Sequence, residues 1–181
     1  MRGLILMAGT ILLGGCGSGG DAPAKTAAAA KLGAGLYEVT AEVTGLRSTD
    51  KTTPATKLKQ GDKVAARACV AADGIPDATL IGEAGDSCTT PSSYVRNGRM
   101  SVQLVCRRAG DSGGVMVTMD GKFTADGFEG SAQSETQFVG QGDYKMTRTL
   151  TAKRVGDCPA AGAPAAGAPA AEAPAAGVPA A

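Results

Sequence analysis

The 181-residue chain contains no histidine and no tryptophan, and only three tyrosines and three phenylalanines. Without an imidazole, no serine can pass its proton to a histidine and have it returned to a leaving group. A chymotrypsin-type triad is therefore excluded. The string Gly110-Asp111-Ser112-Gly113-Gly114 resembles the nucleophile surroundings of such proteases. Asp, Ser and consecutive Gly are equally the residues of a tight turn, and a turn is expected there. The scarcity of aromatics leaves no stacking platform for single-stranded nucleic acid and predicts a lean core. An excess of one charge is missing too, with 18 Lys and Arg against 17 Asp and Glu. Removing a leader that carries Arg2 makes the balance 17 against 17, net zero. A neutral domain gives no reason to expect a polyanionic partner, so nucleic acid is not expected.

Other arrangements that carry chemistry are absent or badly placed. The five cysteines include no C-x-x-C pair, so neither a zinc site nor any other cofactor is expected. Ser48-Thr49-Asp50-Lys51 spells S-x-x-K, but lies in a stretch rich in Thr, Lys and Pro rather than at a helix start, where a Ser-Lys dyad must sit. Glu129 and Glu135 are six positions apart, roughly 20 Å along a strand, too far to flank one bond. Asp111, Asp120 and Asp126 have the spacing of turn aspartates, not of a calcium loop. A hydrolase using Ser112 or Ser48 is a remote alternative, and an enzyme is not the expectation.

What is present begins with an address. Arg2 is followed by an apolar run, Gly3 to Leu13, which has the length of a secretory h-region, about 7 to 15 residues. A membrane-spanning helix needs about 20. The run ends Leu13-Gly14-Gly15-Cys16, which resembles a bacterial lipobox and predicts cleavage before Cys16 and lipid on its thiol and amino group. Two or three acyl chains make a stable anchor. Gly17 in place of aspartate directs such a protein to the periplasmic face of the outer membrane, if the source has two membranes. The expected partners are the membrane, through Cys16, and an envelope protein or anionic lipid.

Behind the anchor, residues 16–34 are small and polar and are expected to be a flexible tether. Residues 159–181 repeat PAAGA with a period of five and are expected to be an extended, disordered tail. Between them, residues 35–158 form one small domain, with residues 1–15 as the leader. Its apolar residues alternate with polar ones. Tyr37, Val39, Ala41 and Val43 share one face, as do Val64, Ala66, Ala68 and Val70. Met100, Val102, Leu104 and Cys106 follow the same rule, then Val115, Val117 and Met119, then Tyr144, Met146, Leu150 and Ala152. This is the period of half-buried antiparallel strands. Turns are expected at Asn97-Gly98, Asp120-Gly121, Asp126-Gly127 and Gly140 to Asp143. The fold class is all-β: one antiparallel meander forming a sandwich or small open barrel.

With Cys16 given to lipid, four cysteines remain, which in an exported domain implies two disulfides and three possible connectivities. A two-residue turn at Asn97-Gly98 sets Thr89 opposite Cys106 and leaves Cys88 one residue out of register. A bulge near Pro91 corrects this and favours Cys88–Cys106, with Cys69–Cys158 joining the ends of the domain. In the chain-entropy model the two loops are worth about 3 and about 4.6 kcal/mol. Arg96, Arg99, Arg107 and Arg108 mark the same hairpin as a candidate basic patch for anionic lipid.

Together, Gly35-Leu36-Tyr37-Glu38, Cys69 after a second strand, the Cys88 and Cys106 hairpin, Gly127-Phe128-Glu129-Gly130 and Gly156-Asp157-Cys158 are similar to the bacterial envelope proteins of domain of unknown function 3617. The resemblance spans Gly35 to Cys158 and implies an exported, disulfide-bearing β domain with no established activity. Thr44-Gly45-Leu46-Arg47 departs from the Pro/Met-rich stretch that follows the first strand in that family. The functional expectation is a non-catalytic binding or structural module of the envelope. Its alternative is a carrier of a lipid-like ligand, in a cavity walled by Val39, Val102, Leu104 and Met146.

Overall fold

The computed structural model describes residues 29–159; Cys16, most of the expected tether and nearly all of the expected tail lie outside them. Seven strands run in order: β1 (Gly35–Ser48), β2 (Lys63–Val70), β3 (Asp86–Arg96), β4 (Arg99–Arg108), β5 (Gly113–Phe123), β6 (Gly127–Phe138) and β7 (Tyr144–Gly156). They form one antiparallel sheet in the order β2-β1-β7-β6-β5-β4-β3. The sheet curls into a half-barrel, so β2 and β3 remain edges facing a gap. Residues 71–85 cross that gap and carry a single 3-10 turn, Ala78–Leu80.

Alternation decides what the concave side holds. Along β5 the inward residues Val115, Val117, Met119 and Phe123 are buried, while Met116 and Asp120 are exposed. β7 does the same with Tyr144, Met146, Leu150 and Ala152. Leu80 and Ile81 of the crossing segment are fully buried against this wall. β2 alternates too, but its inward Val64, Ala66 and Ala68 are only half-buried, and Val64 and Ala66 border open space.

The turn at Asn97-Gly98 places both residues at positive φ (52° and 74°), the type I′ geometry that matches strand twist. Arg96 pairs with Arg99, and the register shift falls between Thr89 and Ser92, around Pro91. That shift brings Cys88 opposite Cys106, and the two are joined; Cys69 is joined to Cys158, with Cα atoms 5.7 Å apart.

Three expectations are corrected. Asp120-Gly121 is not a turn but lies inside β5, where Gly121 pairs with Gly130. A Cβ on either glycine would run into the facing backbone, so these glycines serve close strand approach. The expected tether ends before residue 34: Leu32 is fully buried, the Gly33 amide donates to Ala125 O at 2.9 Å, and Gly98 donates to Ala29 O at 3.0 Å. One buried leucine and these backbone hydrogen bonds dock a stretch whose average composition conceals it. The four arginines form no single patch, since Arg99 and Arg108 stand at opposite ends of β4, roughly 30 Å apart at the usual strand rise.

Candidate functional site

An open cleft of about 960 Å3 lies on the concave side, along β2 and the crossing segment. Val39, Ala41, Ala66 and Leu80 form its apolar wall, and Leu58 closes it from the β1–β2 connection. Its polar end is built from Glu83, Asp86, Arg108 and Arg148. The sheet supplies both arginines, from β4 and β7, whereas the acids come from the crossing segment and the first residue of β3.

Arg108 continues the inward row Met100, Val102, Leu104, Cys106, so its guanidinium is carried onto the concave side. Its Nε and Nη2 donate to the two carboxylate oxygens of Asp86 at 2.8 and 3.1 Å, and Nη2 also reaches Glu83 at 3.1 Å. Nη1 donates to Ala55 O at 2.7 Å, and Nη2 to the Tyr144 hydroxyl at 3.0 Å. The rings of Phe138 and Tyr144 lie 5.5 and 5.9 Å from the guanidinium carbon. Burial works to lower the Arg108 pKa, but the hydrogen bonds to Asp86 and Tyr144 and the Glu83 charge raise it overall. Tyr144 in turn donates to both Glu83 oxygens, at 2.9 and 2.8 Å. Burial first, and then the Glu83 charge, push its pKa up, so the phenol stays protonated and remains a donor.

Arg148 occupies the remaining inward position of β7, between Met146 and Leu150. Its Nη1 and Nη2 donate to Gly82 O and Ile81 O at 3.0 and 2.6 Å. Burial lowers its pKa, with Glu83, Tyr144 and Asp86 opposing. Ser134 Oγ, also buried, has no hydrogen-bond partner among the described residues.

Asp50 ties the start of the β1–β2 connection to the β6–β7 turn. Its carboxylate accepts from the Thr52 hydroxyl and amide (2.7 and 2.9 Å) and from the amides of Gly142 and Asp143 (2.7 and 3.0 Å). The Thr52 bonds, above all, hold its pKa well below the usual carboxylate range. Ser48, whose hydroxyl donates to Asp50 at 2.9 Å, ends β1 and starts no helix. Ser112 is exposed in the β4–β5 turn, where its carbonyl accepts from the Val139 amide. Asp111, Asp120 and Asp126 do not converge, and no three metal-ligating side chains do so among the described residues. Of the expected carrier wall, only Val39 lines the cleft; Val102, Leu104 and Met146 are packed in the core. Strand alternation names the inward face, but not whether that face meets side chains or space.

The family model for Protein of unknown function (DUF3617) matches residues 32–158. The chain belongs to this family. Neither a curated protein nor a solved structure matches it. The matched range begins at the buried Leu32 and ends at the disulfide-bonded Cys158, so the DUF3617 domain includes the docked N-terminal stretch. The cleft, Arg108 and Arg148 all belong to that domain. Sequence reasoning missed Glu83, Asp86, Tyr144 and Arg148 as a group. The available signal was an arginine at each of two inward positions, 108 and 148, of otherwise apolar rows.

Proposed function

We infer that this DUF3617 protein is a non-catalytic binding module of the cell envelope, held to the membrane by lipid on Cys16, whose cleft receives a small, mostly apolar ligand. The observation that carries this reading is the open cleft itself. The half-barrel does not close, and the gap leaves a space of about 960 Å3 walled by Val39, Ala41, Ala66 and Leu80. Small-molecule sites run from roughly 300 to 1,000 Å3 and are mostly apolar with a few fixed polar groups. Here the fixed groups are Glu83, Asp86, Arg108 and Arg148, suited to orienting a ligand. Anchoring through Cys16 sets such a module beside a supply of envelope lipids, on the periplasmic side of the outer membrane where two membranes exist.

Native mass spectrometry of the protein taken from its own envelope tests the cleft. A retained ligand mass is expected, and Ala66→Trp, which fills the cleft, abolishes it; a chain that carries nothing in either form sinks the reading. The anchor has its own check. The mature chain should begin at Cys16 with diacyl modification, and an unmodified mature chain would refute the lipid.

A further inference from the structure

Arg148 is only 3 % exposed, yet none of its hydrogen bonds goes to a carboxylate. Two main-chain carbonyls receive its Nη1 and Nη2 protons, and Nε has no partner among the described residues. The acids of the cleft are engaged elsewhere. Asp86 and Glu83 bind Arg108, Glu83 also accepts from Tyr144, and Asp77 accepts from the Thr79 amide. A guanidinium stripped of water and left on neutral acceptors is costly. The nearby Glu83 and Asp86 charges, neither within salt-bridge distance of it, oppose that cost without supplying a direct partner. Arg148 also forms part of the cleft wall, beside Val39 and Ala41. One side of an open, mostly apolar space therefore ends on a cation that no carboxylate pairs.

Resting on the reading of the cleft as a ligand site, we propose that the ligand is an amphiphile bearing one anionic group, carboxylate or phosphate. That group docks on Arg148, and the apolar body lies along Val39, Ala41 and Ala66. Either anion presents paired oxygens to the fork of a guanidinium, and would give the orphaned Nε its acceptor. An ionised acceptor adds direct ion pairing and bidentate geometry to bonds that the guanidinium already assists. Ile81 and Gly82 belong to no strand, so their carbonyls have no place in the sheet ladder.

The test is calorimetric titration of the full-length protein with laurate, dodecyl phosphate, dodecanol and dodecylammonium, each below its micelle concentration. The two anions should bind about tenfold tighter than dodecanol, the factor expected of a charge-assisted hydrogen bond, and dodecylammonium should bind weakest. The ratio of laurate to dodecyl phosphate distinguishes a carboxylate ligand from a phosphate one. Arg148→Met should bring both anions down to the dodecanol level while leaving dodecanol unchanged, and Arg148→Lys should retain part of the preference. Far-UV circular dichroism verifies that each variant is folded; should Arg148→Met unfold, the lysine variant and the wild-type preference decide. Equal binding of laurate and dodecanol, or an unaltered preference in Arg148→Met, overturns the role of Arg148 and leaves the cleft reading standing. Absence of binding by all four overturns both.

Discussion

Arg108 and Arg148 reach the concave side of one sheet by the same route, an inward strand position, yet their surroundings are opposites. Arg108 meets two carboxylates, a phenol and a carbonyl, so acids outnumber it. Arg148 meets two carbonyls and keeps an unpaired Nε. Charge is thus used in two ways on the concave side of one sheet, from β4 and from β7. The first arrangement fastens the crossing segment to the sheet, since Glu83 and Asp86 have no other cation within salt-bridge distance among the described residues. The second leaves an Nε without an acceptor among the described residues.

Removing the arginine paired with acids should do the most damage. Arg108→Met leaves the buried carboxylates of Glu83 and Asp86 uncompensated, and should cost about 3–5 kcal/mol in denaturant unfolding. A loss under about 1 kcal/mol would mean that the pair contributes little and that the contrast is empty. Arg148→Met should cost less, under about 2 kcal/mol, because it strands only two carbonyls while removing a desolvated charge. If both substitutions cost the same, the two arginines are equivalent and the comparison fails.

The smallest effect belongs to Asp50, a carboxylate satisfied by hydrogen bonds rather than by a cation. Its folded pKa is depressed, so it contributes stability above the ordinary carboxylate pKa, near 4. That contribution is lost as pH falls through the folded value. Unfolding followed from pH 6 downward should show the wild type losing stability below about pH 4. Asp50→Asn should be less stable at neutral pH and flatter along the acid limb. An unchanged acid limb in that variant would assign the loss to other groups.

The hairpin was legible because everything it needs is local. Asn97-Gly98 sets the turn, the turn sets the register, and Pro91 marks the bulge that brings Cys88 opposite Cys106. Asp120-Gly121 is chemically the same kind of dipeptide and misled for that reason. Its glycine answers to Gly130 on the next strand, a neighbour that no window around residue 121 contains. Leu32 was hidden by its own surroundings, a single apolar side chain in a small-residue stretch. The polar end of the cleft was half legible: an arginine at an inward position is visible in the spacing of β4 and β7, but Glu83 and Tyr144 are 61 residues apart and meet only in the folded chain.

What the sequence determined by itself was the strand alternation, the hairpin register and the pairing of Cys88 with Cys106 that follows from it, because side-chain period and turn dihedrals are properties of neighbouring residues. The tertiary structure alone decided that the sheet stays open, that residues 71–85 cross the gap, and that Arg108 finds carboxylates there while Arg148 does not. Those outcomes depend on how far a twisted sheet curls and on which distant loop reaches its edge.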